Sequence, residues 1–277
     1  MFKGRKVRLD HNWADALAYA EAPCDAWGGG ADRTSHRARD ASFHALDNMP
    51  AALAAMREGW TPGRERIAEF AAASVAGVRQ ERVPTYRLDV AGERPFIPAA
   101  IAGDPRAMFR RRPEAPRSRP VVRVVASIAA RWDMKPENLA RRGAAILAWL
   151  DALESSGWTT SLDIVWRTTT GGGSKDAGLD YRVEVKPAGE RFDVDRLSFA
   201  LVCPDMLRRI GFAVLEGCSD LADLKHGYGT PTDLDAADLD GAVYLGKITD
   251  NAPWSTVEKA LASVRAAIAA SRPDVLA

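Results

Sequence analysis

Three charged residues have types and spacing that could hold a divalent cation. Glu184 and Lys186 are one residue apart on a predicted strand, which places them on one face, and Asp163 lies on a preceding strand. In nucleases with an Asp…Glu-x-Lys motif, two carboxylates hold Mg²⁺ and the lysine supports the attacking water or the transition-state charge. The Pro-Asp pair expected at the first carboxylate is absent, because Leu162 precedes Asp163. Glu-x-Lys on an exposed strand face is also common by chance.

Polar side chains follow three predicted strands at the points where the strands end. Ser127 follows the first strand, Thr168 the second, and Asp250 and Asn251 the last. If these strands are parallel neighbours, their carboxyl ends meet at one edge of the sheet and the side chains converge on one crevice. That rim could hold a divalent cation or a polar ligand. The alternative is that these residues only cap helices and satisfy loop backbone.

A group of arginines in a proline-rich stretch could contact nucleic-acid phosphates. Its members are Arg106, Arg110, Arg111, Arg112, Arg117 and Arg119. Each phosphate contact releases counterions, so such binding would weaken as the salt concentration rises. The same residues could instead form a solvated linker, or dock against the aspartates of residues 219–240.

Other common sites leave no pattern in the sequence. Cys24, Cys203 and Cys218 are far apart and form no Cys-x-x-Cys pair, so neither a zinc site nor a disulfide framework is indicated. Residues 171–175 fail the spacing of a phosphate-binding loop. The net charge of +1 provides no global attraction to nucleic acid or membrane. We expect no cofactor, and Mg²⁺ only under the nuclease alternative.

No segment of the sequence predicts export or membrane insertion. The basic stretch 1–9 is not followed by an apolar core, and no apolar run approaches the ~20 residues of a membrane helix. The sparse cysteines fit a reducing compartment. We therefore expect a cytoplasmic protein.

A strand–helix–strand unit must position the rim. Residues 121–126 form an apolar strand, residues 136–156 a helix with one apolar stripe, and residues 162–166 a second strand. A helix between two strands nearly forces a parallel pair with a right-handed crossover. We therefore predict a Rossmann-like α/β fold, with a mostly parallel sheet and helices on both faces. Gly143 within the helix predicts a close approach to the sheet.

Further elements follow along the chain. Residues 181–186 alternate between apolar and charged side chains, which predicts a strand with one wet face, antiparallel at the sheet edge. Residues 242–248 predict a late strand, and Ser255 with Glu258 forms a capping box for the last helix.

The composition divides the chain into three segments. Residues 1–91 form a helical N-terminal section, residues 92–120 a connection rich in proline and arginine, and residues 121–277 the α/β domain.

The order of strand 121–126, helix 136–156, strand 162–166 and strand 181–186 resembles the opening of a von Willebrand factor A-like domain. That fold carries its metal site at the end of the first strand as Asp-x-Ser-x-Ser. The residues at that place here are Ala126, Ser127, Ile128, Ala129 and Ala130, so only a serine matches, and it is out of register. The resemblance implies an A-like scaffold without its usual metal.

Three short segments are similar to bacteriophage and prophage proteins of unknown function. They are Glu58-Gly59-Trp60-x-x-Gly63, residues 141–148 and residues 207–212. This similarity implies a phage-related origin and no activity, and it supplies no catalytic residues. We therefore expect the protein in the host cytoplasm, with virion association left open.

These observations predict a non-enzymatic, phage-related binding or assembly protein, which uses the metal-less A-like domain to hold a protein partner or to self-assemble. Two alternatives remain open. One is a Mg²⁺-dependent nuclease built on Asp163, Glu184 and Lys186, and the other is a nucleic-acid binder that uses the arginines of residues 106–123.

Overall fold

The computed structural model describes residues 6–22, 35, 40, 42–75, 86–92, 94–111, 121–170, 177–218 and 228–276. The chain divides into two compact units, one formed by residues 1–79 with 121–277 and the other by residues 80–120. Residues 1–79 therefore belong to the same compact unit as residues 121–277.

The strands are β1 (Lys6–Asn12), β2 (Tyr86–Asp89), β3 (Arg94–Pro95), β4 (Met108–Arg111), β5 (Val121–Ser127), β6 (Thr159–Thr170), β7 (Ala177–Lys186), β8 (Thr230–Pro231) and β9 (Val243–Leu245). The helices are α1 (Trp13–Glu21), α2 (Met49–Glu58), α3 (Gly63–Val75), α4 (Ile97–Ile101), α5 (Pro136–Ser155), α6 (Val194–Leu201), α7 (Phe212–Gly217) and α8 (Val257–Ser271). A π-helix, Met206–Gly211, precedes α7.

The first unit contains a six-stranded sheet in the order β1-β7-β6-β5-β9, with β8 paired to β6. The predicted parallel pairs of β5 with β6 and of β5 with β9 are confirmed. The predicted antiparallel pairing of β7 is also confirmed, but β7 is not an edge strand. Strand β1 was not predicted from the sequence, and it pairs in parallel with the other side of β7.

Helix α5 is the central helix, and its start and end follow from local sequence. Pro136 occupies the first turn, where its missing N–H is not needed, and Gly157 follows the end with a φ of 94°. Gly143 does allow a close approach, but to another helix rather than to the sheet. A Cβ at Gly143 would lie 2.0 Å from the carbonyl oxygen of Leu201, at the end of α6.

The sheet is mostly parallel and flanked by helices. On one face of the sheet, Val124 belongs to the main core cluster, to which every described α-helix of this unit contributes. On the other face, Val125 packs with Val165, Leu234 and Ala242. The prediction of helices on both faces is therefore corrected for the described residues. Much of the second face is charged, so it has little apolar surface to bury.

The last helix differs in its cap. Thr256, not Ser255, is the N-cap of α8, and its hydroxyl accepts from the backbone N–H of Lys259 at 3.3 Å. Among the described helices, none has the length and apolar composition needed to cross a membrane.

The second unit has its own small antiparallel sheet in the order β2-β4-β3, with the short helix α4 between β3 and β4. Residues 92–120, which the sequence indicates as an irregular connection, therefore contain regular elements.

Candidate functional site

A cleft of about 720 Å³ lies beside the loop that joins β5 to α5, at the carboxyl end of β5. Asp40, Ser42 and Phe43 line one wall, and residues 132–137 line the other. We call this site the Trp132 cleft. Open α/β sheets bind ligands at the carboxyl ends of their strands, so its position is typical of a functional site.

Trp132 is the most unusual side chain of the cleft, because 84% of its surface is exposed. The turn that carries it is held on both sides. The backbone N–H of Arg131 donates to the carbonyl of Ile248 at 2.9 Å, and Arg131 Nε donates to Asp133 Oδ1 at 2.8 Å. This hydrogen bond also lowers the pKa of Asp133. The tryptophan therefore projects from an anchored turn.

Arg208 joins the two walls of the cleft. Its Nη1 donates to the carbonyl of Phe43, and its Nη2 donates to the carbonyl of Met134 at 2.7 Å. The guanidinium carbon lies 4.0 Å from the centre of the Phe43 ring. Burial lowers the pKa of Arg208 to about 10, so it stays a cation at neutral pH. A single buried side chain thus sets the spacing of the walls.

Asp205 fixes the backbone behind Phe43. Its Oδ1 lies 2.7 Å from His44 Nδ1, and its Oδ2 accepts from the backbone N–H groups of Ala45 and Leu46 at 2.8 and 2.7 Å. Arg209 Nε lies 3.2 Å from Asp205 Oδ1, and Arg209 Nη2 donates to the carbonyl of Leu46. These groups lie on or beside the π-helix, a conformation frequently found at functional sites.

The charges around the cleft are of both signs. Hydrogen bonds from the Ser42 hydroxyl and N–H lower the pKa of Asp40, so this carboxylate is ionised at neutral pH. Glu137 and Lys135 are both exposed on the opposite wall. The cleft therefore combines a large aromatic ring with polar edges, as protein interfaces do.

Two of the predicted rim residues lie on opposite faces of the sheet. Ser127 pairs with Val165, and its buried hydroxyl accepts from the N–H of Ala129 at 3.3 Å. Thr168 lies three residues beyond Val165, so strand alternation turns it to the other face. Its hydroxyl donates to the carbonyl of Tyr228 at 2.9 Å. The hydroxyl groups of Ser127 and Thr168 thus form hydrogen bonds with the backbone of nearby loops.

The other two rim residues also organise local structure. Asp250 is exposed, and its Oδ1 accepts from the N–H of Ala252 at 2.9 Å. Asn251 Oδ1 accepts from Asn138 Nδ2 at 2.6 Å and from the N–H of Lys135 at 3.4 Å. Asn251 thereby supports the start of α5 beside the cleft. In the described ranges, no group of three or more His, Cys, Asp or Glu side chains could hold a metal ion.

The structure does not bring the three residues of the predicted nuclease site together. Asp163 and Glu184 are partners across β6 and β7, but the register shifts between Leu162 and Asp163. This β-bulge breaks the alternation that would place Glu184 and Lys186 on one face. Lys186 is fully buried, with Nζ 2.6 Å from Glu154 Oε1 and donating to the Thr160 carbonyl, whereas Glu184 is exposed.

The predicted nucleic-acid arginines fall in the second unit. Arg106 and Arg110 are exposed, and they form ion pairs with Asp104 at 3.9 Å and Asp89 at 3.4 Å. The backbone of Arg111 ends β4. Arg112, Arg117 and Arg119 lie outside the described residues, as do Cys24 and residues 171–175. Contact of this group with nucleic acid stays a prediction.

Sequence reasoning missed the residues that build the cleft. Trp132 stands between two charged residues in a loop that directly follows a predicted strand, which is a readable sign of exposure. Arg208 and Arg209 are adjacent cations inside an apolar segment, which indicates buried hydrogen-bonding roles. Their carbonyl partners Phe43 and Leu46 lie more than 150 residues away in the chain, so the sequence does not reveal them.

Comparison with curated proteins and with solved structures found no match. A family model described as Domain of unknown function (DUF7192) matches residues 6–266, nearly the whole chain. The chain therefore belongs to the DUF7192 family.

Proposed function

We propose that this protein is a non-enzymatic binding protein that holds a protein partner at the Trp132 cleft. The observation that carries the proposal is the 84% exposure of Trp132 at the carboxyl end of β5. Tryptophan is enriched among the few residues that supply most of the affinity at protein interfaces. A partner that covers this ring would remove a large apolar surface from water.

The rigidity of the walls supports the proposal. Arg208 holds the Phe43 and Met134 backbones together, and Asp205 holds the N–H groups of Ala45 and Leu46. A site that is already ordered loses little conformational entropy when a partner binds.

We also propose that the scaffold is a metal-less A-like domain of phage-related origin, acting in the host cytoplasm. The neighbouring parallel strands β6, β5 and β9 support this scaffold. The Trp132 cleft follows β5, the place where an A-like domain carries its metal site. An aromatic contact would then replace the usual metal contact.

The test compares Trp132→Ala with Val121→Ala. Val121 is 41% exposed at the opposite end of β5, which makes it a matched apolar control. Tagged full-length chains are purified from the cells that produce the protein, and the bound proteins are quantified by mass spectrometry. We expect Trp132→Ala to lower the recovery of one defined partner by about tenfold or more, and Val121→Ala to leave it unchanged. Equal recovery with Trp132→Ala would contradict the proposal.

The alternative of a Mg²⁺-dependent nuclease retains one supporting observation, the direct pairing of Asp163 with Glu184. Incubation with single- and double-stranded DNA and RNA, in Mg²⁺ or Mn²⁺, tests it. Cleavage that is lost in Glu184→Ala would favour this alternative, and cleavage that persists in that variant would remove the site.

A further inference from the structure

Strand β1 is a long edge strand. It has seven residues and pairs with β7 on one side. Within the ranges that the structure describes, no strand pairs with its other side. Such an edge presents unpaired N–H and C=O groups, which can pair with a strand of another chain. The opposite edge, β9, is only three residues long.

The charges of β1 are self-complementary. Arg8 and Asp10 flank Leu9, and their side chains are 50% and 51% exposed on one face of the strand. Arg8 Nε donates to Asp10 Oδ2 of the same chain at 2.7 Å, so the exposed pair has a positive and a negative end. The half-buried Val7 and Leu9 pack against the main core on the other face. Charged side chains on an edge can protect it from pairing. Here, however, the order of the two signs allows pairing between two copies.

The registers of a symmetric β1 pair differ in the charges that they bring together. In an antiparallel pair, directly opposite residues lie on the same face of the sheet. A two-fold symmetric pair of β1 strands is therefore centred on one residue, which lies opposite its own copy in the partner. A pair centred on Leu9 places Arg8 of each copy opposite Asp10 of the other. A pair centred on Arg8 or on Asp10 places that residue opposite its own copy, and two like charges face each other at the centre, which is destabilising. The Arg8-centred pair also sets Lys6 opposite Asp10, so the Leu9-centred pair is the one that joins these opposite charges without a like-charge contact.

We propose that two copies of this chain associate through antiparallel pairing of their β1 strands, centred on Leu9. The six-stranded sheets of the two copies then form one continuous sheet. The half-buried Leu9 side chains meet on the helix-covered face. On the charged face, the Arg8–Asp10 pair of each copy lies opposite that of the other, so four charges of alternating sign come together. This interface is separate from the Trp132 cleft, so either proposal can fail without the other.

Charge reversal tests the register. The association constant of the full chain is measured by analytical ultracentrifugation at low salt. Arg8→Asp or Asp10→Arg alone places like charges opposite each other twice, and we expect each to weaken the dimer by about tenfold or more. The double variant Arg8→Asp/Asp10→Arg restores opposite charges and should dimerise within about threefold of the wild type. Lys259→Asp on the exposed side of α8 has the same charge change as Arg8→Asp; it is the control and should have no effect.

A mixing experiment adds a second criterion. When the Arg8→Asp chain meets the Asp10→Arg chain, opposite charges face each other at both positions, so we expect a heterodimer stronger than either homodimer. Circular dichroism confirms that each variant is folded. A wild-type chain that is monomeric at every concentration would overturn the proposal. So would a dimer that the single reversals leave unchanged, or folded single variants that do not associate on mixing.

Discussion

Arg208 packs its guanidinium 4.0 Å from the centre of the Phe43 ring and donates a hydrogen bond to the Phe43 carbonyl. One residue of the π-helix thus fixes both the ring and the backbone of a cleft wall 165 residues away in the chain. Because the same guanidinium also binds the Met134 carbonyl, the shape of the cleft depends on a buried cation.

Removal of this cation should destabilise the fold. In Arg208→Met, the carbonyls of Phe43 and Met134 lose their donor while the volume is largely kept. We expect the free energy of unfolding to fall by about 2 kcal/mol, measured by urea denaturation. Arg57→Met, which removes only the exposed ion pair with Glu21, should cost less than about 1 kcal/mol. Equal losses of unfolding free energy in the two variants would contradict a structural role of the Arg208 hydrogen bonds.

Gly143 should not tolerate a side chain. A Cβ there would overlap the Leu201 carbonyl oxygen at 2.0 Å, so α5 and α6 must separate. We expect Gly143→Ala to destabilise the protein by about 2 kcal/mol, although alanine favours a helix by about 1 kcal/mol. The control, Ala262→Gly on the exposed side of α8, should cost about 1 kcal/mol. A stabilised Gly143→Ala variant would show that the helices are not in contact.

Lys186 should behave as a structural residue. Its ammonium group pairs with Glu154 and the Thr160 carbonyl, so Lys186→Met leaves both without this partner. Because Glu154 is partly exposed, water can replace some of the lost interaction, and we expect a loss of about 2 kcal/mol in unfolding free energy. Lys247→Met, at a partly exposed pair with Asp233, should cost less than about 1 kcal/mol. Unchanged stability of Lys186→Met would favour a catalytic role for the lysine.

Asp163 should make stability depend on pH. Burial raises its pKa above the ordinary value of 3.8, although Arg182 and Arg123 oppose the shift. The folded protein therefore binds this proton more tightly than the unfolded chain, and its contribution to stability is lost as the pH rises from 3.8 through the raised pKa. As the pH rises from 3.8 through the raised pKa, we therefore expect the unfolding free energy of Asp163→Asn to increase relative to that of the wild type. Urea unfolding across this range measures the difference, and a difference that does not change with pH would refute the shift.

The predictable part of the fold is the part that depends on local pattern. The strand–helix–strand unit of β5, α5 and β6 follows from apolar periodicity, and the structure confirms it. Strand β1 was not predicted, because its sequence mixes charged and apolar residues and its partner β7 lies more than 160 residues later in the chain. The sequence of β6 also does not predict the β-bulge at Asp163, because a register shift depends on the partner strand.

The sequence predicts the edge of the sheet at which the Trp132 cleft lies, but not the side chains that line the cleft. The rule that sites lie at the carboxyl ends of parallel strands led to the edge that carries the Trp132 cleft. Ser127, at the end of β5, is buried and bonds to its own loop, while the exposed side chain is Trp132, five residues later. The predicted rim contains only polar residues and therefore does not include this aromatic ring.

The most direct measurement is site-specific photo-crosslinking. A photoreactive phenylalanine analogue replaces Trp132 in one full-length chain and Val121 in another, and both are irradiated in the cells that produce the protein. We predict a crosslink from position 132 to one defined protein, mapped by mass spectrometry, and none to that protein from position 121. If position 132 yields no crosslink beyond those of position 121, the Trp132 cleft is not a partner-binding site.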